Sequence, residues 1–193
     1  VTFNFKLNLD IWIDMTTHAM IDLETLGTSP DFAVLTIGGV KFNPNEVSNT
    51  FQEFYYRFDV DEQLAKGRTT LQSTLDWWAR QDKSIRDEAL GDEGRTPVME
   101  VLKHLNKWCV GIETIWCQGP AFDIVILENM YNQYKHHVPW AFWQIRDSRT
   151  LFSIMPNDPR KEIEFDAHNA LEDCKVQALC VQQSLGKLKL KLK

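Results

Sequence analysis

Three largely apolar stretches stand near the start of the chain. Residues 19–23, 33–42 and 50–58 read as strands, separated by the turn-rich segments "GTSPD" and "FNPNEVSN". This run predicts an antiparallel meander, with Gly38–Gly39 as a candidate bulge inside the second strand. The period then lengthens. Helices are predicted over 71–81, with Ser73 or Thr74 as N-cap, and from Thr96–Pro97 through Cys109, with Thr96 as cap and Pro97 at the first position. In the second of these, Val98, Val101, Leu102, Leu105, Trp108 and Cys109 follow helical spacing. Further helices are read over 122–134, 148–154 and 169–185, and short strands over 113–117 and 143–145. Strands first, then strands alternating with helices, predict an α/β domain with a mixed sheet covered by helices.

Composition narrows this picture. A chain of 193 residues suits one domain, here 15–185, and 44% hydrophobic and 11% aromatic residues exclude a disordered chain. The net charge of −6 argues against a strongly basic nucleic-acid binder. It leaves room for an enzyme with cations in a groove and acids at a metal site. Cys109, Cys117, Cys174 and Cys180 form no C-x-x-C pair and no zinc-like set, so they read as buried thiols in a reducing compartment such as the cytoplasm. No apolar run approaches the ~20 residues of a membrane span, so no membrane partner is expected. Residues 1–14, ahead of Met15, read as an upstream extension or cloning remnant that could add an edge strand. Residues 186–193 read as a basic tail: frayed, or an edge strand guarded by lysines, with weak phosphate contact as an option.

The first strand ends in two acids. Asp22 and Glu24 are two apart, so they share a face, and buried carboxylates are costly without a partner. Two further features stand beside them. Asp123 opens an apolar helix after the strand that stops at Gln118-Gly119-Pro120, and His168 precedes a helix that carries Asp173. Each alone has a plain reading, as a helix-terminus charge, a solvated face or a loop histidine.

Together and in order, D-x-E, the later Asp and His168-x-Ala170-x-x-Asp173 resemble the DEDD superfamily of 3′→5′ exonucleases, histidine subclass (DEDDh). The position four before the last Asp is Asn169, which departs from the tyrosine subclass. "MIDLETLGTSP", "TLDWWARQ" and "RDSRTL" are similar to a phage and bacterial subgroup, that of T4 exonuclease A and the ribonuclease-T-like exoribonucleases. The resemblance implies a ribonuclease-H-like mixed sheet of about five strands. It implies two divalent cations, Mg²⁺ or Mn²⁺, which prefer oxygen ligands. Asp22 would bridge them, Glu24 and Asp173 would hold the ion that activates water, and Asp123 would support the other. His168 would be the general base, since an imidazole accepts a proton near neutral pH. The expected partner is a single-stranded 3′ end, DNA slightly ahead of RNA, with nucleoside 5′-monophosphates released and a homodimer as the assembly.

Substrate contacts are read at the backbone of Thr25 and Leu26. Trp77 and Trp78 could stack bases or pack in the core. Arg146 and Arg149 could hold phosphates or pair with Asp147. "KHH" at 135–137 and "RK" at 160–161 offer local positive potential. A catalytically silent binding module is the alternative. A D-x-D aspartyl-phosphate enzyme is disfavoured, because the second acid is Glu and no matching lysine motif follows.

Overall fold

A computed structural model of the chain describes residues 17–163 and 168–192. The expected extension over 1–14 lies outside the described residues. The meander is β1 (His18–Thr25), β2 (Val34–Phe42) and β3 (Gln52–Phe58). Helices α1 (Val60–Ala65), α2 (Gln72–Ala79) and α3 (Lys83–Leu90) follow, then β4 (Arg95–Thr96) and α4 (Val98–Trp108). The chain continues through β5 (Thr114–Cys117), α5 (Asp123–Gln133), β6 (Ile145–Asp147), α6 (Ser148–Ser153) and α7 (Ala170–Leu188). The strands form one mixed sheet in the order β4-β3-β2-β1-β5-β6. Both meander pairs are antiparallel, and β5 is parallel to β1.

Alternation along β1 sorts its side chains between two cores. Ala19, Ile21 and Leu23 join the cluster under α4 and α5, while Met20 faces α7 with Val40, Cys174 and Val181. Asp22 and Glu24 follow Met20 in register and therefore lie on the α7 side. α4 buries the predicted face, Val98, Val101, Leu102, Leu105 and Trp108. Each such burial is worth roughly 1.5–3 kcal/mol, which anchors a helix too short to be stable alone.

Several local expectations are corrected. The register runs unbroken through Gly38 and Gly39, and the irregularity falls instead between Glu24 and Thr25. Gly38 makes room for another element. A Cβ there would lie 2.2 Å from the Ala170 carbonyl, so only glycine lets the start of α7 touch the sheet. Neither Ser73 nor Thr74 caps α2; Leu71 does, without a side-chain bond, while its N–H donates to the Leu26 carbonyl. Thr96 does not cap α4 either. Pro97 is the N-cap, and the Glu62 carboxylate of α1 accepts from Val98 N–H at 2.9 Å. The strand expected at 143–145 is a 3-10 turn followed by β6, because the Gln144 carboxamide oxygen accepts from Ala141 N–H and draws that turn closed. The expected mixed sheet is present and has six strands among the described residues. The tail does not begin at residue 186: α7 runs to Leu188, and Leu192 exchanges two 2.8 Å hydrogen bonds with the Asn45 side chain. Among the described residues, no helix is long and apolar enough to cross a membrane, and all four cysteines are free and buried.

α1 contributes through its one buried residue. The Gln63 carboxamide accepts from Val34 N–H and donates to the Val34 carbonyl, both at 2.8 Å, so it acts as a surrogate strand partner. Arg68 donates to the Phe32 and Pro30 carbonyls at 2.9 and 2.6 Å, fixing the β1–β2 turn. Both devices stiffen the backbone directly after Glu24.

Candidate active site

The end of β1 and the start of α7 bring three acids together. One carboxylate oxygen from each of Asp22, Glu24 and Asp173 lies within 4.8 Å of the others. Asp173 arrives there because Asn169 caps α7, accepting from Leu171 and Glu172 N–H, and because Gly38 admits the helix. Asp123 is the first residue of α5 and is only 3% exposed. The loop before it turns at Gly119, whose φ of +138° suits glycine. Its charge reaches Asp22 and Glu24, which places all four acids in one electrostatic unit.

Their protonation records how unfavourable that unit is. Burial first, and then its three acidic neighbours, hold Asp22 well above the ordinary carboxylate range. Glu24 is pushed up from 4.5 to about 8, by burial and then by Asp173 and Asp123. Burial also raises Asp173, and it raises Asp123 against hydrogen bonds from its own and Leu23's N–H, the Cys117 thiol and the charge of Arg149. Four acids, Asp123 buried and the other three half-buried, that resist joint ionisation are a site shaped for positive charge. All their donor atoms are oxygens, the choice of hard divalent cations over zinc or copper.

His168 sits just ahead of α7 in the left-handed region, φ +72°. Its N–H donates to Asp173 Oδ2 at 2.9 Å, which stabilises that conformation. Its ring meets Trp77 edge to face, centroids 4.8 Å apart. Trp77 in turn packs against Trp78 at 4.9 Å. Trp78, read as a base-stacking or a core residue, is 1% exposed and has no open face; its Nε1–H donates to the Thr25 carbonyl at 3.0 Å. It is a core residue that fixes the chain after Glu24.

Thr25 and Leu26 do border the acids in sequence, but their side chains are buried. Thr25 Oγ1 donates to the Gly27 carbonyl, and Leu26 N–H to the Ala33 carbonyl. Arg149 stays exposed, donates to the Gln118 carbonyl at 2.8 Å and acts on Asp123 electrostatically. Arg146 is also exposed and donates to the Trp143 and Ile145 carbonyls. The expected pairing of the arginine side chains with Asp147 is not what that acid does. Asp147 caps α6, accepting from Arg149 N–H and Thr150 Oγ1. Arg160 is tied to Asp158 at 2.6 Å, which cancels much of the local positive potential expected there. His18, the histidine nearest the acids in sequence, is buried at the far end of β1 and accepts from Trp116 Nε1–H at 2.9 Å.

One residue at the acids belongs to no motif in the sequence. Gln177, one turn beyond Asp173 on α7, donates from Nε2 to Asp22 Oδ1 at 3.1 Å. Its spacing of four from Asp173 is the only signal that points to it.

A mixed sheet with D-x-E on its first strand, a third Asp at a strand-to-helix junction and a histidine-led last helix is the arrangement of a DEDDh exonuclease. The fold agrees with solved structures of that kind. The nuclease domain of 3′hExo, a DEDDh family member bound to rAMP, is 15% identical with a TM-score of 0.58, over 93% of this chain and 96% of that one. An exonuclease I structure gives 0.66 at 13% identity, over 90% of this chain but 42% of that one. The present chain therefore spans about two-fifths of exonuclease I. Residues 17–185 match the family described as "3′-5′ exoribonuclease Rv2179c-like domain". The chain belongs to that family and is a 3′–5′ exonuclease, a phosphodiester hydrolase. A curated relative, the "Exodeoxyribonuclease" of Enterobacteria phage T4, is 28% identical over 202 residues, covering 86% of this chain and 88% of its own.

Proposed function

We propose that the unit spanning residues 15–185 removes nucleotides one at a time from the 3′ end of single-stranded DNA, releasing nucleoside 5′-monophosphates. The observation that carries this reading is the convergence of Asp22, Glu24 and Asp173 within 4.8 Å, with Asp123 in electrostatic reach. Those four carboxylates would hold two divalent cations, Mg²⁺ or Mn²⁺. The enclosed, mutually repelling acids, one buried and three half-buried, and their all-oxygen donor set fit such ions. Bound there, the ions would supply positive charge for the attacking and leaving oxygens.

The chain's own groups do the rest. His168 takes the proton of the attacking water. Its left-handed backbone and its Trp77 contact aim the ring from outside the helix. Thr25 and Leu26, fixed by Trp78 and Ala33, border the terminal nucleotide. Arg149, exposed beside Asp123, meets the phosphate.

Support for DNA comes from relatives. The T4 homologue is named an exodeoxyribonuclease, and exonuclease I has been solved with a dA16 oligonucleotide. The description of the family itself names RNA, which makes an exoribonuclease the second reading. The test uses 5′-labelled DNA and RNA strands of one sequence with Mg²⁺ or Mn²⁺. Stepwise shortening of DNA from the 3′ end, abolished by Asp22→Ala, is the expected result. Faster loss of RNA selects the second reading. No shortening of either strand, or activity that survives Asp22→Ala, refutes the site.

A further inference from the structure

We propose that Gln177 is a positioning residue that orients the Asp22 carboxylate for cation binding. The proposal rests on the metal reading above and adds a residue to it. Asp22 faces three other acids and needs a neutral donor to set which of its oxygens turns toward them. Gln177 is 4% exposed and lies on the same face of α7 as Asp173, and its Nε2–H reaches Asp22 Oδ1 at 3.1 Å. That bond engages one oxygen of the carboxylate and so fixes the rotation of the group toward the shared site.

The other end of the same amide carries the argument further. Among the described residues Gln177 Oε1 has no hydrogen-bond partner, although it is buried. A buried acceptor without a donor is unfavourable. A Met or Leu side chain would fill this position without an orphaned atom, because the neighbours Cys174, Ala178 and Val181 are buried and apolar in character. Stability alone therefore does not account for an amide here. Its donor end does: among the described residues it is the one uncharged side-chain donor directed at Asp22. Gln182, the other fully enclosed glutamine of α7, shows the contrast. Its amide is satisfied at both ends, donating to the Asn43 carbonyl at 2.8 Å and accepting from Ser48 N–H at 3.3 Å, and it holds a loop.

The experiment titrates Mn²⁺ into metal-free protein by calorimetry and follows nuclease rate against Mn²⁺ concentration. Gln177→Met keeps length and volume, and Gln177→Asn keeps the amide but withdraws it by one methylene. Gln182→Met is the control for losing a buried amide on the same helix. Loss of an outer partner of a metal ligand typically weakens metal binding by about 10–100-fold. Both Gln177 variants should weaken Mn²⁺ binding by about 10-fold or more, with the rate recovering toward wild type as Mn²⁺ is raised. Gln182→Met should lower Tm without moving the Mn²⁺ midpoint. Wild type that binds no Mn²⁺ overturns the metal reading itself. Wild type that binds Mn²⁺ while Gln177→Met and Gln177→Asn bind it equally well overturns the role of Gln177 and leaves the metal reading standing. A common loss of rate in all three variants with no shift of midpoint also overturns it, since that pattern is purely structural.

Discussion

Replacing Glu24 with Gln should make the metal-free protein more stable and the enzyme inactive. The reason lies in the proton that Glu24 takes up on folding. Its ordinary value of 4.5 rises to about 8 in the folded chain, through burial first and then the charges of Asp173 and Asp123. A raised folded value gives a contribution that is fully present below 4.5 and is lost as pH climbs toward 8. At pH 7 the unfolded glutamate is ionised, and the fold must protonate it or bear its charge. Over the interval from 4.5 to 7, at about 1.4 kcal/mol per pH unit, that costs about 3 kcal/mol. Gln has the shape of the protonated acid and nothing to titrate. In chelator at pH 7, Glu24→Gln should therefore gain about 3 kcal/mol, or roughly 6–12 °C in Tm for a chain of this size. At pH 4.5 the gain should shrink to a few tenths. Mn²⁺ at 1,000 times the wild-type Kd should reverse the order, because it adds about 4.1 kcal/mol to wild type and only a few tenths to a variant whose affinity is 1,000-fold weaker. Thermal unfolding across pH 4.5–8.5, with chelator and with Mn²⁺, reads all three. A variant no more stable than wild type in chelator at pH 7, or a gain that persists unchanged at pH 4.5, would refute the reasoning.

Other consequences can be checked in parallel. His168→Asn keeps a residue that tolerates the left-handed backbone and keeps the N–H bond to Asp173; kcat should fall by about 10²–10⁴-fold while calorimetric Mn²⁺ binding stays near wild type. Gly38→Ala drives a methyl into the Ala170 carbonyl, so it should destabilise by about 3 kcal/mol in denaturant unfolding and lower activity by displacing His168 and Asp173. Trp78→Phe retains most of the ring but loses the bond to the Thr25 carbonyl, costing about 1–2 kcal/mol; an unchanged midpoint of unfolding would remove Trp78 from its anchoring role.

What the sequence reveals of the fold depends on how far each element's pattern extends. β1 and β2 are long apolar runs and α4 and α7 are long helical patterns, so each is exposed directly. α1 is six residues with a single buried side chain, and that side chain is the polar Gln63. Its reason for existing, a surrogate partner for Val34, is tertiary and leaves no period. β4 is two residues long and pairs only with β3. Gly38 shows the same limit from another side. A glycine in a strand signals either a bulge or a close approach of another backbone, and only the arrival of α7 at Ala170 decides between them.

The site divides along the same line. Asp22 and Glu24 stand out because an apolar strand should not end in two acids on one face, and Asp123 and Asp173 stand out once they are taken as a set. These are groups whose cost is visible in sequence. Residues that place them carry no such mark. Trp78 reads in sequence as either a base-stacking or a core aromatic, and only the fold shows it buried and donating to Thr25. Gln177 looks like an ordinary helical glutamine until α7 is laid across β1 and its amide meets Asp22. The chemistry of this protein is thus written in its charges, and the geometry that makes the chemistry possible is written in neutral residues. Substitutions at the acids should remove the reaction outright. Substitutions at Gly38, Trp78 and Gln177 should move helix position, backbone rigidity and cation affinity one at a time, which makes them the variants that separate how the site is held from what it does.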